Sequence, residues 1–266
     1  MRLGNPASLR AALAGVTAVV NCAGGDARTL SAGSVALCDA VRATEGVTRI
    51  VHLSSLTVYG GTDRHVDEDS RPAAEGWYAH AKLSAEHALH AFGGGSGDAV
   101  ILRPGIVYGP DGPQWTRRMA HWLRHGRVGD LGAAGDGRCN LVHVDDVAQA
   151  TVAALGLPRL DEVRAWTWKR YFRRFSLALR LPRLHSIGPA RLAVETCVLA
   201  APLRVGTLLL GAARAERLDW PEAMPPSVLR LFRQSLIVDD RLARTSLHLR
   251  WTPLADGVAA VARTLR

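Results

Sequence analysis

Apolar residues occur along this chain in short branched runs separated by longer stretches of helical period. Val16–Asn21, the run Ile50, Val51 and Leu53, and Ala99–Arg103 are each bounded by turn residues and each predict a buried strand. Between them, Leu30–Ala43 and Trp77–Phe92 predict helices. A shorter helix is expected at Ala7–Leu13, with Pro6 in its first turn and Gly15 as its stop, after a strand stub at Met1–Asn5. Farther along, Trp115–His125 predicts a helix, Arg138–Val144 an extended run, and Asp145–Leu155 a helix. Strands alternating with helices imply an α/β fold with a Rossmann-like doubly wound parallel sheet. The glycine run Phe92–Gly97 follows a helix and precedes a strand, the reverse of a dinucleotide-binding turn, and is read as a loop.

Composition adjusts this picture only a little. At 266 residues and 48% apolar content the chain can bury a sizeable core. Cys22, Cys38, Cys139 and Cys197 have neither disulfide-framework nor metal-ligand spacing, and no signal peptide opens the chain, so a cytoplasmic protein is expected. The net charge of +9 comes with 31 Arg and only two Lys, a bias spread over the whole length, and no nucleic-acid partner is expected. His121 and His125 have helical i, i+4 spacing, but no third ligand is evident in the sequence and no metal is expected.

The candidate chemistry lies between Thr48 and Lys82. The central strand ends on Ser54 and Ser55, and the helix after it places Tyr78 and Lys82 one turn apart on one face. A phenol ordinarily ionises near ~10. A neighbouring ammonium favours the phenolate, and a phenol so tuned exchanges a proton with a hydroxyl or carbonyl oxygen near neutrality. The serine hydroxyl can hold that same oxygen. The end of a strand is also where an open parallel sheet places its ligand crevice.

SSLTVYG followed by YAHAK resembles the extended short-chain dehydrogenase/reductase superfamily, which includes the NAD-dependent epimerases and dehydratases. VVNCAGG (19–25) resembles that family's fourth-strand motif, LRPGIVYGP (102–110) its sixth-strand motif, and NLVHVDDVAQA (140–150) the lead into the next core helix. The resemblance implies NAD or NADP as cofactor, with Tyr78 as general acid/base, Lys82 lowering its pKa and touching the nicotinamide ribose, and Ser55 holding the reacting oxygen. It places Cys22, Ala23, Gly24 and Ser54 along the cofactor, Pro104, Gly105 and Ile106 beside the nicotinamide, and Thr57 near the substrate. A cofactor domain is expected over residues 1–155 and a mostly helical substrate region over 156–266, with the last helix packing back on the core.

The departures from the family are equally informative. Its opening unit of strand, glycine-rich GxxGxxG turn and helix is not found ahead of the first strand here, so the expected sheet is N-terminally truncated. The favoured expectation is a fuller N-terminus upstream, the others being a genuine fragment or an inactive relative that acts as a binding module. Leu56 and Thr57 replace the Asp-Glu pair of sugar-nucleotide dehydratases. Ile106 stands where C4 epimerases carry Asn, and Cys139 where they carry Arg, with Arg138 one residue off. These differences favour a simple dehydrogenase or reductase. Arg164–Arg191 holds seven Arg and Lys169 without an acid, interleaved with aromatics. It reads as a cationic rim for an anionic small-molecule substrate, as a membrane-surface helix, or as a cap helix N-capped by Thr167 with its aromatics in the core. No transmembrane segment is expected, because Glu195, Pro202 and Arg204 interrupt Leu192–Ala213. Peripheral membrane contact and a homodimer are left open.

Overall fold

The computed structural model describes residues 5–61, 63–93, 98–156, 166–181 and 185–265. The expected strand stub at Met1–Asn5 (but for Asn5), the glycines of the loop 94–97 and the stretch 157–165 lie outside them. In chain order the first elements are α1 (Pro6–Leu13), β1 (Ala18–Asn21), α2 (Ala27–Arg42), β2 (Arg49–Leu53), β3 (His65–Val66), α3 (Gly76–Gly93) and β4 (Asp98–Leu102). Then come β5 (Ile106–Tyr108), α4 (Arg118–Arg124), β6 (Arg138–Cys139), β7 (Leu141–His143), α5 (Val144–Gly156), β8 (Trp166–Thr167) and α6 (Trp168–Ala178). The last are α7 (Pro189–Ala193), α8 (Ala200–Leu210), α9 (Ala212–Arg217), α10 (Pro226–Arg233), β9 (Ile237–Val238), α11 (Arg241–Ser246) and α12 (Leu254–Thr264).

The chain forms two compact units and passes between them several times. The first comprises Met1–Gly105, Val144–Arg164 and Ile237–Trp251; the second Ile106–His143, Ala165–Leu236 and Thr252–Arg266.

In the first unit β1, β2 and β4 form a parallel sheet in the order β1-β2-β4, with Val20 paired to Val51 and Val51 to Val100. The period of two along β2 sends successive side chains to opposite faces. Ile50 joins a core with Leu9 and Leu13 of α1, Leu37 and Val41 of α2, and Leu89 and Phe92 of α3. Val51 joins the other core, with Val100, Leu102, Ala150 and Ala154. Apolar clusters on both faces are what a doubly wound sheet requires, and they explain why these strands read as continuous apolar runs. Arg49 donates from Nη1 to the carbonyls of Ala154 (3.2 Å) and Leu155 (3.0 Å), capping the C-terminal end of α5 and tying it to β2. Asn5 caps α1 through Ala7 and Ser8, and Asp26 caps α2 through the Thr29 N–H at 2.8 Å.

The second unit is organised around aromatic rings. Trp168, Tyr171, Phe172 and Phe175, spaced i, i+3, i+4 and i+7 on α6, are all buried, and Phe232 of α10 meets Trp168 edge-on at 4.7 Å. Of the readings open for this cationic, aromatic stretch, the aromatics fill the core as a cap helix would have them. The expected helix at Trp115–His125 opens with a wider turn at Pro113–Arg117 before α4 begins. The extended run at Arg138–Val144 is two short strands separated by Asn140; β6 pairs antiparallel with β8, and β7 parallel with β5.

Candidate active site

The site is built at the C-terminal end of β2. There Ser54 N–H donates to Leu102 O (2.7 Å) and Leu56 N–H to Pro104 O (3.0 Å), so the ends of β2 and β4 stay joined past the last paired residues. Ser55 is extended (φ −162°), and its Oγ accepts from Thr57 N–H at 3.2 Å, starting the short 3-10 turn Leu56–Tyr59. A hydroxyl that accepts this bond keeps its own proton to donate elsewhere. Thr57 is exposed on that turn, whereas Ser54 and Ser55 are buried.

Tyr78 and Lys82 sit on α3, one turn apart as the spacing predicts. The phenol is 39% exposed and the lysine buried. Burial raises the Tyr78 pKa above its ordinary value, and hydrogen bonding to Ser55 only partly offsets it. The expected lowering by Lys82 is not found. The Lys82 ammonium donates to Leu53 O at 2.7 Å and lies over the Tyr78 ring, 5.9 Å from its centre, so its hydrogen bond is spent on the strand. Burial lowers the pKa of Lys82 itself, while Cys22 and Glu86 act to raise it.

The turn Cys22–Gly25 follows β1. Asn21 holds it: Oδ1 accepts from Ala23 N–H at 3.2 Å and Nδ2 donates to Ser34 Oγ at 3.3 Å. Gly25 has φ +143°, a conformation open to glycine, and a Cβ on Gly24 would meet nothing within 4 Å. The turn therefore offers uncovered backbone to a ligand. Pro104 and Gly105 close β4 in this unit, while Ile106 opens β5 in the second.

One part of the site was not anticipated. Glu86, one turn beyond Lys82, is buried and gripped by Arg103, with Nε–Oε1 at 3.0 Å and Nη2–Oε2 at 2.8 Å. Ser54 Oγ donates to the same carboxylate, and Arg103 Nη1 reaches the Tyr59 hydroxyl at 2.6 Å. The i+4 step from Lys82 to Glu86 was the available signal. This network fixes Ser54 and the β4 end, which leaves Ser55 beside Tyr78. An apolar hollow in the same unit, lined by Leu102, Pro104, Val147, Leu247 and Trp251 among others, includes none of Ser55, Tyr78 and Lys82.

The sequence matches the model of the NAD dependent epimerase/dehydratase family over residues 2–165, more than half of its length. The chain belongs to that family. Solved structures with a similar fold include UDP-glucuronic acid 4-epimerase from Bacillus cereus (TM-score 0.69, 19% identity, covering 97% of this chain and 79% of that one). UDP-glucose 4-epimerase from Thermotoga maritima is similar as well (TM-score 0.74, 16% identity, 100% and 82%). So is the enzyme WbmH of Bordetella bronchiseptica in complex with NAD+ (TM-score 0.70, 19% identity, 100% and 81%). Among curated proteins none matches the sequence significantly.

For an epimerase/dehydratase family cofactor, the residues at the nicotinamide-ribose end fit: Tyr78, Lys82 and the open Cys22–Gly24 backbone share one end of the sheet. For the pyrophosphate end, no GxxGxxG turn joins a described strand to the helix after it; Gly126, Gly129 and Gly132 have that spacing but follow α4 and lead into β6. In β6, Arg138 is exposed and Cys139 fully buried, so the two neighbours face opposite sides. His121 and His125 stack with ring centres 4.2 Å apart, and Asp219 meets both, at 3.3 Å and 2.9 Å. We read this group as a clasp between α4 and the turn after α9.

Proposed function

We propose that the chain is an NAD(P)-dependent oxidoreductase or epimerase of the extended short-chain dehydrogenase/reductase type, acting on a hydroxyl or carbonyl carbon of a small molecule. One observation carries the reading: Ser55, Tyr78 and Lys82 converge at the end of β2, beside an open backbone turn. When bound, the nicotinamide would supply or accept the hydride. Tyr78 Oη gives a proton to, or takes one from, the reacting substrate oxygen. Ser55, whose hydroxyl meets Tyr78 in the free protein, turns its proton to that oxygen and holds it in place. Lys82 lies close enough to Cys22 to share its field, which suits a role at the ribose hydroxyls. Ile106 and Cys139, in place of the polar residues of C4 epimerases, favour a reductase or dehydrogenase over a sugar-nucleotide epimerase. UDP-sugars, the ligands of the structural neighbours UDP-glucuronic acid and UDP-glucose 4-epimerase, remain the comparison substrates.

A second reading, an inactive family member that binds without turning over, draws on the raised Tyr78 pKa and on the Lys82–Leu53 bond. Fluorescence titration with NADH and NADPH, followed by a hydride-transfer assay, separates the two. Binding tighter than about 100 μM, roughly −5.5 kcal/mol, with turnover supports the enzyme. Binding without turnover supports the module, and a folded protein with no binding overturns both.

A further inference from the structure

α8 is apolar on both sides but for Arg204 and Thr207. Its inward side is Leu203, Gly206, Thr207 and Leu210, with Trp220 packed so closely on Gly206 that a Cβ there would lie 2.4 Å from a ring carbon. Trp220 Nε1 also donates to Leu203 O at 3.4 Å. Its outward side is Ala201, Pro202, Arg204, Val205, Leu208 and Leu209, an arc of roughly 160° at ~100° per residue. Leu208 and Leu209 are 81% and 82% exposed, and Val205 is 54% exposed. Just before the helix, Val198 is 61% exposed. A helix apolar all round is normally covered on every side, by protein or by lipid.

The charges in the sequence around this surface are mostly positive. Between Ala178 and Arg217 the sequence holds six Arg and two acids, Glu195 and Glu216. Glu195 is buried and consumed by Arg127, whose Nε donates to Oε2 at 2.8 Å. Arg180, Arg191, Arg204, Arg214 and Arg217 are exposed, and Arg204 borders the apolar arc. An aliphatic strip edged with arginine complements an anionic lipid surface. It suits a second copy of itself poorly, because a two-fold contact would set an excess of like charge together. No single described helix is long and apolar enough to cross a membrane, and the pair Pro189–Val198 and Ala200–Leu210 reaches that length and apolarity only with a 43° bend between its halves. The one-sided exposure of α8, with Trp220 on its inner side, suits lying along a bilayer.

We propose that the outward arc of α8 rests on an anionic membrane surface, with Val205, Leu208 and Leu209 at the acyl boundary and Arg204 at the lipid phosphates. The test is flotation of the full chain with vesicles of phosphatidylcholine alone or with added phosphatidylglycerol. Wild type is expected to float with the anionic vesicles and to be released by salt. The double variant Leu208→Glu/Leu209→Glu should lose partitioning by about tenfold or more while keeping its circular dichroism and melting temperature, since both side chains are exposed. Arg204→Glu should weaken binding to anionic vesicles and flatten its salt dependence. The proposal is overturned if wild type ignores anionic vesicles at low salt, or if the leucine variant binds equally well. It is also overturned if wild type is a dimer that the leucine variant dissociates and neither binds vesicles.

Discussion

Lys82 spends its ammonium on the backbone of the central strand, donating to the Leu53 carbonyl at 2.7 Å, although it stands one helical turn from Tyr78. The phenol therefore meets burial without compensating charge, and its pKa lies above the ordinary value. Tyr78 is neutral in the free protein through the neutral range, which suits it to give a proton to a carbonyl before it takes one from an alcohol. Ultraviolet difference titration of wild type against Tyr78→Phe should place this phenol's ionisation above ~10. Ser55→Ala, which removes the one lowering influence, should move it higher still. A titration below that value would show that the lysine's field reaches the hydroxyl after all.

Tyr78→Phe should remove proton transfer with little effect on folding, because it keeps the ring of a residue that is 39% exposed and removes only the hydroxyl. General acid–base catalysis contributes about 10²–10⁴-fold, so kcat should fall by that factor while NADH affinity stays within about twofold. Equal losses in binding and turnover would place Tyr78 in the scaffold and remove it from the chemistry.

Cys22 provides a readout of cofactor binding that does not depend on activity. It is exposed on the turn after β1, as is Cys197 in the second unit, whereas Cys38 and Cys139 are buried. Burial pushes the Cys38 thiol up to about 11. Cys22 and Cys197 should react first with a soluble thiol reagent, and saturating NADH or NADPH should slow Cys22 selectively. Uniform protection of both cysteines, or protection of neither by a nucleotide that binds, would place the cofactor elsewhere.

The sheet was legible because β1, β2 and β4 are apolar on both faces and bounded by turn residues; only their ends differ from expectation, by a residue or two. The Ser55–Tyr78–Lys82 constellation was legible from strand-end position and helical spacing. The direction of the Lys82 side chain was not, because the competing Leu53 carbonyl is a backbone atom that any sequence would supply. Glu86 and Arg103 were passed over for a related reason. Their meaning comes from pairing between α3 and the end of β4, and only Glu86 carried a local signal. Asp219, far from His121 and His125 in the chain, shows the same limit. The cationic run of α6 remained ambiguous until Trp168, Tyr171, Phe172 and Phe175 proved to share one buried face.

The Arg103–Glu86 pair should behave as a buried ion pair, costly to break and cheap to replace. Glu86→Leu strands the guanidinium and removes the acceptor of Ser54, and should destabilise the fold by about 3–5 kcal/mol in denaturant melts. Glu86→Leu/Arg103→Met removes both charges and should recover most of that loss. If the double variant is as unstable as the single one, the pair's worth lies in its bonds to Ser54 and Tyr59 more than in charge compensation.

His52 ties stability to pH. It lies on β2, 2% exposed, and neither ring nitrogen has a hydrogen-bond partner among the described residues. Burial, with a smaller contribution from the Lys82 charge, pushes its pKa down to about 3. The unfolded chain binds a proton at His52 below ~6.5, and the folded one does not until far lower. Stability from this group is thus complete above ~6.5 and declines as pH falls toward the folded pKa, at up to ~1.36 kcal/mol per unit. Between about pH 7 and pH 5 the loss should be about 2 kcal/mol. His52→Leu keeps an apolar side chain of similar size in the strand and removes the proton uptake. Its denaturant midpoint should fall less over that interval, by about 2 kcal/mol when converted through the common slope. Parallel pH profiles for the two proteins would mean that the folded state accommodates a charged His52.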